Sequence, residues 1–81
     1  MDQTLAIIGI FVSDTTSAAM VNQLLHEYSH CIIGRMGIPY HEKKVSIMSV
    51  VLDALPDEIS SLSGKLGRIP NVTVKTMQGK L

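Results

Sequence analysis

Leu5 to Val12 reads Leu-Ala-Ile-Ile-Gly-Ile-Phe-Val, an uncharged run that is apolar at both odd and even positions. Successive side chains of a strand point to opposite faces, so such a run needs cover on both sides and belongs in the middle of a sheet. Any fold for this chain must therefore place at least one strand centrally. The rest of the sequence decides what surrounds it.

Asp14, Thr15, Thr16 and Ser17 offer side-chain oxygens to the free N–H groups of a helix start, which predicts a helix from there to about Tyr28. Ala18, Val21, Leu24, Leu25 and Tyr28 fall on one side of it at helical spacing, so that side packs on the sheet. Cys31 to Ile38 reads as a second strand, weakened by Gly34 and Gly37. An edge position with a bulge near one of those glycines follows, with Pro39 closing the strand. Residues 39 to 44 form a polar hairpin loop into Val45 to Asp53, a third strand rich in Val, Ile and Leu. Pro56 suits the first turn of a second helix, Asp57 and Glu58 complement its positive end, and Lys65 and Arg68 its negative end. Ile59, Leu62, Leu66 and Ile69 make its buried stripe. Gly67 and Pro70 mark its stop, and Asn71 to Met77 alternates like a half-exposed strand before a fraying tail.

The order is βαββαβ over one domain, residues 1–81. Right-handed crossovers fold that order into an α+β, ferredoxin-like sandwich: a four-stranded antiparallel sheet, strands one and three central, both helices on one face. The second sheet face then stays apolar at Ile7 or Ile8, Phe11 or Val12 and their neighbours, and something must cover it. A second copy of the chain is the simplest cover. Size supports this, because a chain of 81 residues buries only about 60–65% of its unfolded surface and a lone cysteine, Cys31, forms no internal disulfide. A homo-oligomer, dimer or tetramer, is the expectation, with a permanent heteromeric partner as the alternative.

Seven Lys and Arg balance seven Asp and Glu without clustering, so direct nucleic-acid binding by this chain alone is not expected. The hydrophobic fraction of 46% is high, yet no apolar stretch approaches the ~18 residues that span a bilayer. Met1-Asp2-Gln3-Thr4 lacks the positive charge of an export signal, and the single thiol fits a reducing compartment. The cytoplasm is the expected location, with no membrane association.

His26-Glu27-Tyr28, the run from Ile32 to Tyr40 with its Gly-Arg-Met-Gly-Ile-Pro-Tyr, and Leu62-Ser63-Gly64-Lys65-Leu66-Gly67-Arg68 together resemble the small family of iron-only hydrogenase system regulators. The resemblance covers essentially the whole chain. It implies an ACT-like variant of the ferredoxin-like fold, related to the ligand-binding half of the nickel-responsive repressor, and a role in transcriptional regulation. That repressor carries a separate ribbon-helix-helix segment for DNA, for which this chain has no residues, so regulation would need a partner or an oligomer surface. Amino-acid-binding ACT domains use an Asp and a Gly between strand one and helix one. Here residues 12 to 17 keep Asp14 without a glycine, so an amino-acid effector in the usual mode is not implied.

Two sets of residues carry chemistry. Arg35, flanked by Gly34 and Gly37, could present its guanidinium to a carboxylate or phosphate, with a pairing to Glu42 as the plain alternative. Gly64 with Lys65 could let a ligand or subunit lie against the second helix, the plain alternative being close packing of backbone within the chain. His26, His30, Cys31 and His41 are the side chains a transition metal would choose, against a reading as solvated histidines and a core thiol. Met20, Met36, Met48 and Met77 read as adaptable core or interface filler. No nucleophile–base set, phosphate loop or carboxylate pair is visible, and no cofactor is specified, so the chain is read as a non-enzyme. The leading expectation is a homo-oligomeric regulatory or ligand-sensing module with a small anionic ligand at its interface. A metal sensor and a structural protein-binding module are the alternatives.

Overall fold

The computed structural model describes residues 3–79. The order is β1 (Thr4–Val12), α1 (Thr15–Glu27), a 3-10 turn (Ser29–Cys31), β2 (Ile32–Tyr40), a second 3-10 turn (His41–Lys43), β3 (Val45–Ala54), α2 (Pro56–Gly67) and β4 (Val72–Gly79). All four strands pair antiparallel in the order β2-β3-β1-β4, placing β1 and β3 centrally as their two-sided apolar patterns require. This is the α+β, ferredoxin-like arrangement.

Even-numbered residues of the central strands face the helices. Ala6, Ile8, Ile10 and Val12 of β1 and Met48, Val50, Leu52 and Ala54 of β3 are buried there. Val21 and Leu25 of α1 and Ile59, Leu62 and Leu66 of α2 close on them, with Ala18, Leu24 and Tyr28 packed at the rim. Asp14 caps α1 by accepting from the Ser17 N–H, and Ser17, itself buried, also donates its hydroxyl to the Pro70 carbonyl. The segment between α2 and β4 is thereby tied to the start of α1. Lys44, at φ 53°, takes the left-handed conformation that ends the β2–β3 connection.

Odd-numbered residues of β1, β3 and β4, with even-numbered residues of β2, build the opposite face, which no described element covers. The strand register aligns Ile38, Ile47, Phe11 and Thr73 in one row across the sheet, Met36, Ser49, Gly9 and Lys75 in the next, and Gly34, Val51, Ile7 and Met77 in a third. Phe11 is 54% exposed, Met36 61% and Met77 63%, and Ile7, Ile38, Ile47 and Val51 are also exposed.

Two expectations need correction, and a third is made specific. Pro39 does not close β2 but lies within it opposite Ser46, which an edge strand allows because its outer side needs no N–H donor. The bulge, expected near Gly34 or Gly37, does fall beside Gly34, between Ile32 and Gly34, so Ile33 is the extra residue. The final strand runs on to Gly79 where fraying was expected, held by its register with β1; Lys80, Leu81, Met1 and Asp2 lie outside the described residues. Among the described residues no helix is long and apolar enough to cross a membrane.

Candidate functional site

Because β3 runs antiparallel to β2, its end at Ala54 lies beside the start of β2, and Ile32 pairs with Leu52. The end of α1 and the start of α2 therefore meet at one end of the sheet. There the turn Ser29–Cys31 carries Cys31 inward, 7% exposed, where its thiol donates to the Tyr28 carbonyl at 3.2 Å. Burial pushes this thiol above its ordinary value, and the nearby Glu58 charge adds to the effect.

Glu58, the third residue of α2, uses one carboxylate oxygen to accept the Leu55 N–H at 3.2 Å; the reciprocal cap is missing because Leu55 has no side-chain acceptor. Its other oxygen lies 3.1 Å from His30 Nε2. The His30 contact, with the Leu55 N–H second, holds the Glu58 carboxyl below the usual carboxylate range. Ligand atoms of His30, Cys31 and Glu58 all fall within 4.8 Å of one another.

Alongside, Tyr28 stacks on His30 with ring centroids 6.3 Å apart. Lys65 Nζ donates to the Tyr28 hydroxyl at 3.0 Å, and that hydroxyl shares a 2.9 Å hydrogen bond with Ser61. The Ser61 bond, then Lys65, lowers the Tyr28 pKa, and the same Tyr28 contact raises that of Lys65. These groups line an open crevice of about 460 Å³. His30 and Glu58 offer it nitrogen and oxygen donors beside the Lys65 cation.

The sequence profile of the TM1266-like family, described as "Iron-only hydrogenase system regulator, putative", matches residues 4–76. The chain belongs to this family. The structure of uncharacterized protein TM1266 from Thermotoga maritima superposes with a TM-score of 0.94 at 39% sequence identity, covering 98% of this chain and all of that one. The C-terminal domain of the MgtC protein from Mycobacterium tuberculosis, known in solution, shares the fold at 13% identity, with a TM-score of 0.71 over 95% of this chain and 88% of that domain. No curated protein matches the chain.

Of the metal candidates named from the sequence, only His30 and Cys31 come together. His26 is exposed in the last turn of α1, and α1 ends at Glu27, so His30 leaves the helical repeat that would have aligned the two. His41 is at the wrong end of the sheet, beyond the nine residues of β2, or roughly 30 Å at ~3.3 Å per residue. It lines a different crevice of about 550 Å³ with Asp14 and Lys44. Glu58, which completes the cluster, was read only as a helix-start acid.

Within one protomer the expected anion contacts Arg35 and Lys65 lie apart, with Gly34 and Gly37 beside the first and Gly64 beside the second. Arg35 is on the helix side of β2 and donates to the side-chain carbonyl of Asn22, not to Glu42, which accepts from Tyr40 instead. Lys65 joins the Tyr28 cluster on α2. A Cβ placed at Gly34 or Gly64 would meet nothing within 4 Å, and at Gly37 only the Met48 side chain at 3.8 Å. Close packing within the chain therefore does not explain Gly64, because that part of α2 faces outward.

Proposed function

We propose that the chain is a cytoplasmic, non-catalytic regulatory module of an iron-only hydrogenase system, acting as a homo-oligomer whose protomers close their open sheet faces on one another. The observation that carries this reading is the open face itself, with Ile7, Phe11, Ile38, Ile47 and Val51 in continuous rows. Four strands of eight to ten residues, spaced ~4.8 Å with ~3.3 Å rise, present roughly 550 Å². That is close to one partner's share of a small specific interface.

Charge placement favours a second copy over an unrelated partner. Asp53, opposite Leu5, and Lys75, opposite Gly9, stand on this face at different levels of the sheet. A two-fold axis through the apolar rows brings the acid of one protomer toward the base of the other, the self-complementarity that an isologous interface needs. Transcriptional regulation would then act through the assembled surface or a DNA-binding partner, since the chain's own charges balance.

Light scattering of the purified chain tests the reading. A mass of at least two chains is expected, falling to one chain in Phe11→Lys and Val51→Lys variants that keep their helical circular dichroism. A wild-type monomer at ~100 μM, well above the Kd of a stable assembly, would overturn it.

A further inference from the structure

We propose that His30, Cys31 and Glu58 form a binding site for a thiophilic divalent transition-metal ion of the zinc or cobalt(II) type. The inference does not depend on how protomers assemble.

The donor set is imidazole nitrogen, thiol sulfur and carboxylate oxygen, with all three ligand atoms within 4.8 Å of one another. Sulfur and imidazole select zinc-like ions over magnesium or calcium, which take oxygen shells. In a tetrahedral site with bonds of about 2.0–2.3 Å the donor atoms stand about 3.3–3.8 Å apart. Closing the present spread to that value takes side-chain movement of about 1 Å, without backbone rearrangement.

Each ligand is already positioned by something else. The 3-10 turn seats Cys31 at the floor of the site, the Leu55 N–H anchors Glu58, and the Tyr28 ring stacks against His30. His30 has a side-chain exposure of 65% and Glu58 of 32%, so an ion can reach both from solvent, with the Cys31 sulfur within 4.8 Å of their ligand atoms. On binding, the Cys31 S–H gives up its hydrogen bond to the Tyr28 carbonyl and releases its proton to solvent. A divalent ion, neutral His30, the Cys31 thiol and the Glu58 carboxylate thus become a neutral thiolate complex plus one proton. Three protein ligands leave one tetrahedral position for water or an exchangeable ligand, as open zinc sites do.

A surface His–Glu pair contributes little by itself, and Cys31 also packs in the core; a metal ties all three groups into one arrangement.

Cobalt(II) titration of the reduced, purified chain tests the proposal. One equivalent per chain is expected to produce a thiolate-to-cobalt charge-transfer band and tetrahedral d–d absorption, both competed away by zinc. The charge-transfer band disappears in Cys31→Ser. In His30→Ala and Glu58→Gln, whose changed side chains are at the surface so that folding is retained, affinity falls by more than the roughly 10–100-fold typical of losing an outer-shell partner. Absence of the band in the wild-type chain, or its survival with unchanged affinity in both His30→Ala and Glu58→Gln, overturns the site. Light scattering on the same samples keeps this result separate from the question of assembly.

Discussion

His30 and Glu58 stand 28 residues apart in sequence, yet His30 Nε2 lies 3.1 Å from a Glu58 oxygen, joining the turn after α1 to the first turn of α2. The contact, with the Leu55 N–H on the other oxygen, holds the carboxyl below its usual range. A carboxyl that titrates lower in the folded chain than in the unfolded one favours folding while it is ionised. That contribution is complete above the ordinary value of about 4.3 and disappears as pH falls through the lower folded value. In chelator-treated protein, Glu58→Gln is therefore expected to melt below wild type at about pH 7, with the gap shrinking toward pH ~3. An equal gap at both pH values would contradict it.

The pairing of His30 with Glu58 was legible in the topology more than in either residue. Once βαββαβ order makes β3 antiparallel to β2, the end of α1 and the start of α2 must share one end of the sheet, and His41, one strand away, must be at the other. Reading His26, His30, Cys31 and His41 as one pool by residue type ignored that length. The strands, the helix stripes and the uncovered face were legible because two-residue and 3.6-residue periodicities report burial directly. The glycines also marked the bulge near Gly34, whereas the inclusion of Pro39 in β2 and the Arg35–Asn22 bond depend on register and on side-chain reach, which periodicity does not encode.

Gly9 lies at the middle of the open face between Ser49 and Lys75, and a Cβ there would touch only the Lys75 carbonyl at an ordinary 3.9 Å. Gly9→Ala should leave the protomer intact and stabilise the strand by about 0.5–1 kcal/mol, the usual penalty of a glycine inside an element. If a second copy packs closely against this row, the same change weakens the assembly, so protomer stability and dimer dissociation constant move in opposite directions. Denaturant melts combined with sedimentation across a dilution series would show it. Parallel changes in both would place the close contact elsewhere.

Gly64 is inside α2 with open space where its Cβ would be. Gly64→Ala is expected to raise unfolding free energy by about 1 kcal/mol, because helix propensity is then the only quantity that changes. Urea denaturation measures it. A neutral or destabilising result would mean that another chain in the assembly approaches the backbone at this point, and repeating the melt at lower protein concentration would separate that case from strain within the protomer.

Tyr28 connects the site to α2 through its hydroxyl, which accepts from Lys65 and shares a bond with Ser61, while its ring supports His30. Tyr28→Phe removes the two hydroxyl contacts and keeps the ring. Both contacts are solvent-exposed, so the expected loss of stability is small, about 0.5–1 kcal/mol at pH ~7. The stacking that positions His30 survives in this variant, so cobalt affinity should remain within about threefold of wild type, or ~0.6 kcal/mol. Tyr28→Ala removes the stack as well, and should weaken cobalt binding clearly more than Tyr28→Phe while leaving the charge-transfer band visible at saturation. Equal cobalt affinities in the two variants would show that the ring does not position His30, and that the Glu58 contact alone sets its orientation.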